Sequence, residues 1–229
     1  MVTARPPHPG TRRYTRHVVY ELARSIRERD VLTYEHCRRV GVYVSRLARE
    51  MGWSRRAAHD LALAALVHDL GKTWIQNAIL HKDSALSSDE RAEMERHPVI
   101  AASLLSAYNA PQTLVQAVLH HHEAYDGRGY PDRLHGDEIP IGARLLSVAD
   151  VFDALTSARA YKPAMDVAAA RERLLAGAGT HFDPDAVAAF VALLDRDPDF
   201  LLEPRVAPLP QPPRTAPTPS WVRHDTASE

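Results

Sequence analysis

Residues 61–72 read LALAALVHDLGK, an apolar run that ends in a histidine and an aspartate side by side. Leu61, Ala62, Ala65 and Leu66 recur at helical spacing, which marks one buried face of a helix rather than a half-buried strand. Ser54 suits the N-cap of that helix and Gly71 its C-terminal stop. A carboxylate delivered into apolar surroundings is costly unless a cation or a donor meets it. The pair His68–Asp69 therefore needs partners from elsewhere in the chain.

Outward from this segment the period stays helical. Val18, Val19, Leu22 and Ile26 mark a first helix ending near Asp30, and Val40, Val44, Leu47 and Met51 a second beginning about Tyr34. Ser87-x-x-Glu90 reads as a capping box, Pro111 and Pro140 as helix starts, and Asp183-Pro184 as the opening of the last helix. No stretch sustains the alternation of a half-buried strand, so the expected fold is all-α, a single helical domain over residues 14–202. Residues 1–13 hold three prolines and residues 203–229 seven, with few large apolar groups, and both are expected to be flexible ends.

Composition narrows the function classes. A chain of 229 residues can bury roughly 70% of its unfolded surface and so hold a dry, rigid site. The net charge of −1 supplies no global field for a nucleic acid polymer, so an anionic ligand must be held by local charges. A lone cysteine, Cys37, fits a reducing compartment. No apolar run is long enough for a membrane span, and the first residues lack a signal-peptide core, so a cytoplasmic protein with no membrane partner is expected.

Other histidines and carboxylates fall on the same helical scaffold. His36 lies early on the second helix and His97 at a helix junction in RHP; HHHEAYDGRGYP at 120–131 carries His121 and His122 at a helix end. Asp150, in LLSVADVFDAL at 145–155, is flanked by Leu145, Leu146, Val148, Val151 and Phe152, again a carboxylate in an apolar run. Five imidazoles and two carboxylates suit two first-row divalent ions such as Fe or Mn, which accept mixed nitrogen and oxygen ligands.

These segments carry a resemblance. EHCRRV at 35–40, HDLGK at 68–72, HP at 97–98, HHEAYDGRGYP at 121–131 and ADVFDALTSARAYK at 149–162 resemble, in order and spacing, the HD-GYP branch of the HD phosphohydrolases, from about residue 14 to about 195. The resemblance implies an all-helical fold, a metal centre, and hydrolysis of cyclic di-GMP to the linear dinucleotide or to GMP. It implies that His36, His68, Asp69 and Asp150 hold one ion and Asp69, His97, His121 and His122 the other, with Asp69 as the bridge. It implies that Lys72, Arg159 and Lys162 hold the substrate phosphate, so that Asp69 and Lys72 carry the catalysis. It also puts the loop Gly127–Pro131, with Gly129, Tyr130 and Pro131 as its signature, on the border of the cleft, where a signalling partner is another candidate occupant. Some members of the family add a third ion through a glutamate one turn before the first histidine. Here that position is Leu32, so a dinuclear centre is expected.

Each of these residues also has a plainer reading. His8, His17, His59, His81, His135, His181 and His224 are expected to be ordinary core or surface residues. Three consecutive helical positions fan across about 200 degrees, so His120 is expected on another face than His121 and His122. Glu123 and Asp126 are as well suited to ordering a loop as to catalysis, and Asp153, one turn after Asp150, to supporting a ligand. Two other functions stay open: an HD phosphohydrolase acting on another cyclic dinucleotide or a nucleotide such as a dNTP or ppGpp, and a non-catalytic partner-binding module.

Overall fold

The computed structural model describes residues 9–158 and 164–197. The described residues form ten α-helices: α1 (Pro9–Arg29), α2 (Val31–Glu50), α3 (Arg55–Leu66), α4 (Asn77–Leu80), α5 (Ser88–Met94), α6 (His97–Ala107), α7 (Gln112–Leu119), α8 (Ile141–Thr156), α9 (Val167–Gly177) and α10 (Pro184–Arg196). Short 3₁₀ segments at Leu70–Trp74 and Gly136–Glu138 complete it. There are two isolated β-bridges, Asp126 with His135 and Ala178 with Phe182, and no strand among the described residues. The all-α expectation holds. None of the described helices is long and apolar enough to cross a membrane.

Helix starts follow local side-chain chemistry. Asp30 caps α2 by accepting from the Leu32 and Thr33 amides at 2.8 and 3.2 Å, which is why α2 begins at Val31, ahead of the start expected near Tyr34. Ser54 caps α3 through the Ala57 amide, Ser87 and Glu90 form the expected capping box on α5, and Asp183 caps α10. α1 begins at Pro9, inside the stretch 1–13 read above as a flexible end; Pro there is at a position where its missing N–H costs nothing. Residues 203–229 lie outside the described residues.

The core joins α2, α3, α7, α8 and α10. Leu47, Leu145, Leu146, Phe152 and Phe190 are all fully buried, and Phe152 meets Tyr43 and Phe190 edge to face at 5.8 and 4.9 Å between ring centroids. α2 lies against both α3 and α8, which fixes the two helices that bear His36 and Asp150 relative to the turn that follows α3.

Gly71 does not stop a helix. α3 ends at Leu66, and Gly71 sits within the 3₁₀ segment that follows, where its Cα hydrogen faces the first residue of α6. A Cβ on Gly71 would lie 2.0 Å from the His97 carbonyl oxygen, so only glycine lets the two backbones approach. That approach brings the His68–Asp69 turn to His97.

Candidate metal centre

Seven side chains converge where α2, α6, α8 and the turns after α3 and α7 meet. His68 and Asp69 lie in the turn after α3, His97 opens α6, His121 and His122 lie in the turn after α7, and His36 and Asp150 come from within α2 and α8. His68, Asp69, His97 and His121 are essentially inaccessible to solvent. Three overlapping sets hold ligand atoms mutually within 4.8 Å: His36, His68 and Asp69; His68, His121 and Asp150; and His97, His121 and His122. Every histidine and carboxylate expected at the centre is in one of these sets.

Asp69 stands between the two ends of the cluster. Its Oδ2 faces His36 Nε2 at 3.9 Å and His68 Nε2 at 3.6 Å, while its Oδ1 faces His97 Nε2 at 3.4 Å. Asp150 Oδ1 lies 2.9 Å from His36 Nε2 and 3.6 Å from His68 Nε2. Lys72, one turn after Asp69, donates to its Oδ2 at 2.7 Å, so an ammonium lies beside the carboxylate.

The backbone has chosen the tautomers. His68, His97 and His121 each donate Nδ1–H to a carbonyl three residues earlier, those of Ala65, Met94 and Val118, at 2.7, 2.8 and 2.7 Å. A neutral ring held this way keeps its lone pair on Nε2, and all three Nε2 atoms, with Asp69 Oδ1, are buried without a hydrogen-bond partner. For His68 burial favours that neutral form, but Asp69 and Asp150 outweigh it and raise its pKa well above the ordinary value while no ion is bound. Buried polar atoms are normally satisfied, and four orphans pointing into one cluster fit cation ligands. The residues present thus fit a site for divalent ions.

His36 is held differently. Its Nδ1 meets Asp153 Oδ2 at 2.7 Å, and Asp153 is itself gripped by the Arg39 fork at 2.7 and 2.9 Å and by Ser157 Oγ at 3.2 Å. Asp153 is the supporting residue its position suggested. Arg39 was missed, although it follows His36 by three residues and so shares its helix face.

Electrostatics split the imidazoles into two groups. Burial pulls the His36 ring towards neutrality, but hydrogen bonds to Asp150 and Asp153 outweigh it and raise its pKa to about 9. Burial and then the Lys72 ammonium bring His97 down to about 3, and burial, against the attraction of Asp150, brings His122 down to about 4. His121 is also held well down by burial and then by His122. Burial works to raise both carboxylates, yet Lys72 and then the His68 imidazole hold Asp69 ionised, and His36 and His68 hold Asp150 ionised. The cluster is a neutral-nitrogen half and an ion-paired half joined through Asp69.

His120 is outside the cluster, as expected. It caps α7, bonds the Gln116 carbonyl at 3.1 Å and meets Asp132 at 3.0 Å. His59, His81, His135 and His181 join none of the three sets. Arg159 and Lys162 lie outside the described residues. The Tyr130 ring lies on His122, centroids 4.9 Å apart and 29° between planes, so the loop Gly127–Pro131 borders the cluster. Gly129 is needed for that path: a Cβ there would be 2.2 Å from the Ala124 nitrogen. Glu123 orders the same loop, accepting from the Asp132 and Leu134 amides at 2.7 and 3.2 Å.

Residues 21–186 match the family model described as HD domain. The chain belongs to the HD domain family. Its HDLGK, HHE and DGRGYP segments are the ones that resemble the HD-GYP branch. The relatives include a 3′3′-cGAMP-specific phosphodiesterase 2 of Vibrio cholerae, 39% identical over 77% of this chain and 34% of that protein. They also include the cyclic di-GMP phosphodiesterase response regulator RpfG of Xanthomonas campestris pv. campestris, 42% identical over 77% of this chain and 47% of that protein. This chain therefore spans less than half the length of either. In fold it is similar to a cyclic GMP-AMP specific phosphodiesterase of V. cholerae, with a TM-score of 0.63, 18% identity, and 83% and 51% of the two chains covered.

Proposed function

We propose that this domain is a metal-dependent phosphodiesterase that opens cyclic di-GMP to the linear dinucleotide, with 3′3′-cGAMP as the competing substrate. The observation that carries the reading is the set of orphaned Nε2 atoms facing a carboxylate whose two oxygens point to opposite halves of one buried cluster. The similarity to relatives named for cyclic di-GMP and 3′3′-cGAMP supports the substrate class.

In this reading His36, His68, Asp69 and Asp150 hold one divalent ion, and Asp69, His97, His121 and His122 the other, Fe or Mn being the best fit to five nitrogens and two carboxylates. Such a pair supplies an activated water and stabilises charge gathering on a phosphoryl group. The chain's own part is positional. Backbone carbonyls aim three imidazoles, and Asp153 with Arg39 aims the fourth. Burial keeps His97, His121 and His122 neutral, so they are ready donors at physiological pH. Lys72 offers the scissile phosphate a point charge beside Asp69, and Arg159 and Lys162 are assigned to the same task by their place in the ARAYK segment. Leu32, 79% exposed in the first turn of α2, has no lone pair for a further ion, which favours two ions over three.

Purified protein loaded with Mn or anaerobically with Fe, assayed for metal content and for turnover of cyclic di-GMP and 3′3′-cGAMP, tests this. Two ions per chain and linear dinucleotide are expected, both lost in Asp69→Ala. Full turnover and full metal in Asp69→Ala would overturn the reading.

A further inference from the structure

A cavity of ≈ 620 Å³ lies between α5, α6 and the loop Gly127–Pro131, and Glu95, Arg96, Val99, Arg128, Tyr130 and Arg133 are among its walls. Tyr130 joins it to the metal cluster, since the same residue stacks on His122. Arg96 adjoins the cluster in sequence, directly before His97. The volume is in the range of pockets that enclose small ligands, roughly 300–1,000 Å³.

The charges on its walls are unbalanced. Arg128 is held by Asp126, through Nε at 2.9 Å. Arg96 and Arg133 are exposed and neither has an ion-pair partner among the described residues. Glu95 is the acidic residue of the lining.

Arg133 is held at φ +56, a left-handed conformation that costs an L-residue about 1–2 kcal/mol and that glycine would adopt freely. The clamp is visible. Glu123, 2% exposed, accepts the amide on each side of Arg133, those of Asp132 and Leu134. A buried carboxylate thus fixes a strained arginine on the wall of a nucleotide-sized cavity, and strain of this kind collects at ligand sites. The forked guanidinium matches the oxygens of a phosphate, while Glu95 can accept from a ribose hydroxyl or a base N–H.

We propose that this cavity seats the half of the dinucleotide remote from the scissile bond, with Arg96 and Arg133 on its phosphate. The proposal rests on the function proposed above and adds a subsite to it. Tyr130 is the partition between the two halves of the substrate.

The test is steady-state kinetics of the metal-loaded full chain on cyclic di-GMP and 3′3′-cGAMP, with bis(p-nitrophenyl) phosphate, too small to span both sites, as a probe of the wild-type centre alone. Arg96→Ala combined with Arg133→Gly is expected to raise KM for the dinucleotide about tenfold, with kcat within twofold and metal content unchanged. Arg133→Gly alone is expected to melt no lower than the wild type, because glycine relieves the backbone, so its raised KM cannot be ascribed to unfolding. Arg133→Lys is expected to recover part of the loss. A double variant whose KM stays within twofold of the wild type, in a protein that does turn over the dinucleotide, overturns this inference and leaves the function intact. A wild type that cleaves bis(p-nitrophenyl) phosphate and neither dinucleotide overturns the substrate reading, and this inference with it.

Discussion

Gly71→Ala should separate the two halves of the centre. The added Cβ would lie 2.0 Å from the His97 carbonyl oxygen, 2.7 Å from its carbon and 2.8 Å from its Cα, all backbone atoms that cannot rotate away. Reaching even the closest contact that real methyl groups tolerate requires the 3₁₀ segment and the start of α6 to part by about 1 Å. That displacement is carried into the 3.4 Å approach of Asp69 Oδ1 to His97 Nε2, the link between the halves of the cluster. Overpacking of this size costs about 2–3 kcal/mol, which for a chain of this length lowers Tm by about 4–12 °C. Gly52→Ala is the control. Gly52 has φ +82 and open space around it, so alanine there costs about 1 kcal/mol through the backbone alone and should leave bound metal unchanged. Differential scanning calorimetry and metal analysis of the two variants read the difference: loss of stability in both, loss of metal in Gly71→Ala only. If Gly71→Ala melts within a degree of the wild type and keeps its full metal, the close approach is not what assembles the centre.

Three other outcomes follow from the same geometry. His120→Ala should leave metal stoichiometry unchanged, since His120 is engaged with Gln116 and Asp132, whereas His121→Ala and His122→Ala should each lower it; elemental analysis showing the reverse would mean that the wrong histidines were assigned. Asp153→Asn removes the carboxylate that aims His36 and weakens the Arg39 fork, and should lower metal affinity about 10–100-fold in chelator competition; unchanged affinity would make Asp153 a packing residue. His36 has its pKa raised from 6.5 to about 9, so in the ion-free protein its pairing with Asp150 and Asp153 stabilises the fold fully below about pH 6.5 and fades as pH rises through about 9. Ligation needs its Nε2 bare. Metal loading at pH 7.5 should therefore release about one proton from this residue and strengthen with pH up to about 9; titration calorimetry showing no dependence on buffer ionisation enthalpy would contradict it.

Local chemistry was legible in the sequence, and long-range approach was not. The period of LALAALV, the Ser54 and Asp183 caps and the Ser87–Glu90 box act within one turn of chain, and each appears where expected. The start of α2 was misplaced because its cap, Asp30, precedes the apolar pattern by several residues. Gly71 was misread because a glycine can be required by a turn or by a neighbour, and its neighbour is 26 residues away in sequence. His97 was read as a candidate ligand from its motif, yet nothing local says that its carbonyl needs Gly71 opposite. Arg39 was passed over for a related reason. Its partner Asp153 lies on α8, and an arginine on an amphipathic helix ordinarily reads as a solvated charge.

The division of the centre between helix interiors and helix ends explains which part of it the motifs could disclose. His36 and Asp150 project from within α2 and α8, helices locked by the core, so their positions follow from packing and only their residue types mark them as unusual. His68, Asp69, His121 and His122 occupy the turns where α3 and α7 unwind, and there the freed carbonyls of Ala65 and Val118 become acceptors for Nδ1–H. The Met94 carbonyl, at the end of α5, does the same for His97. A helix end thus supplies both the sharp change of direction that a ligand needs and the hydrogen bond that fixes its tautomer. That is a physical reason for HD and HH pairs to follow apolar helical runs: the run anchors the turn, the turn exposes a carbonyl, and the carbonyl leaves Nε2 free to take a cation.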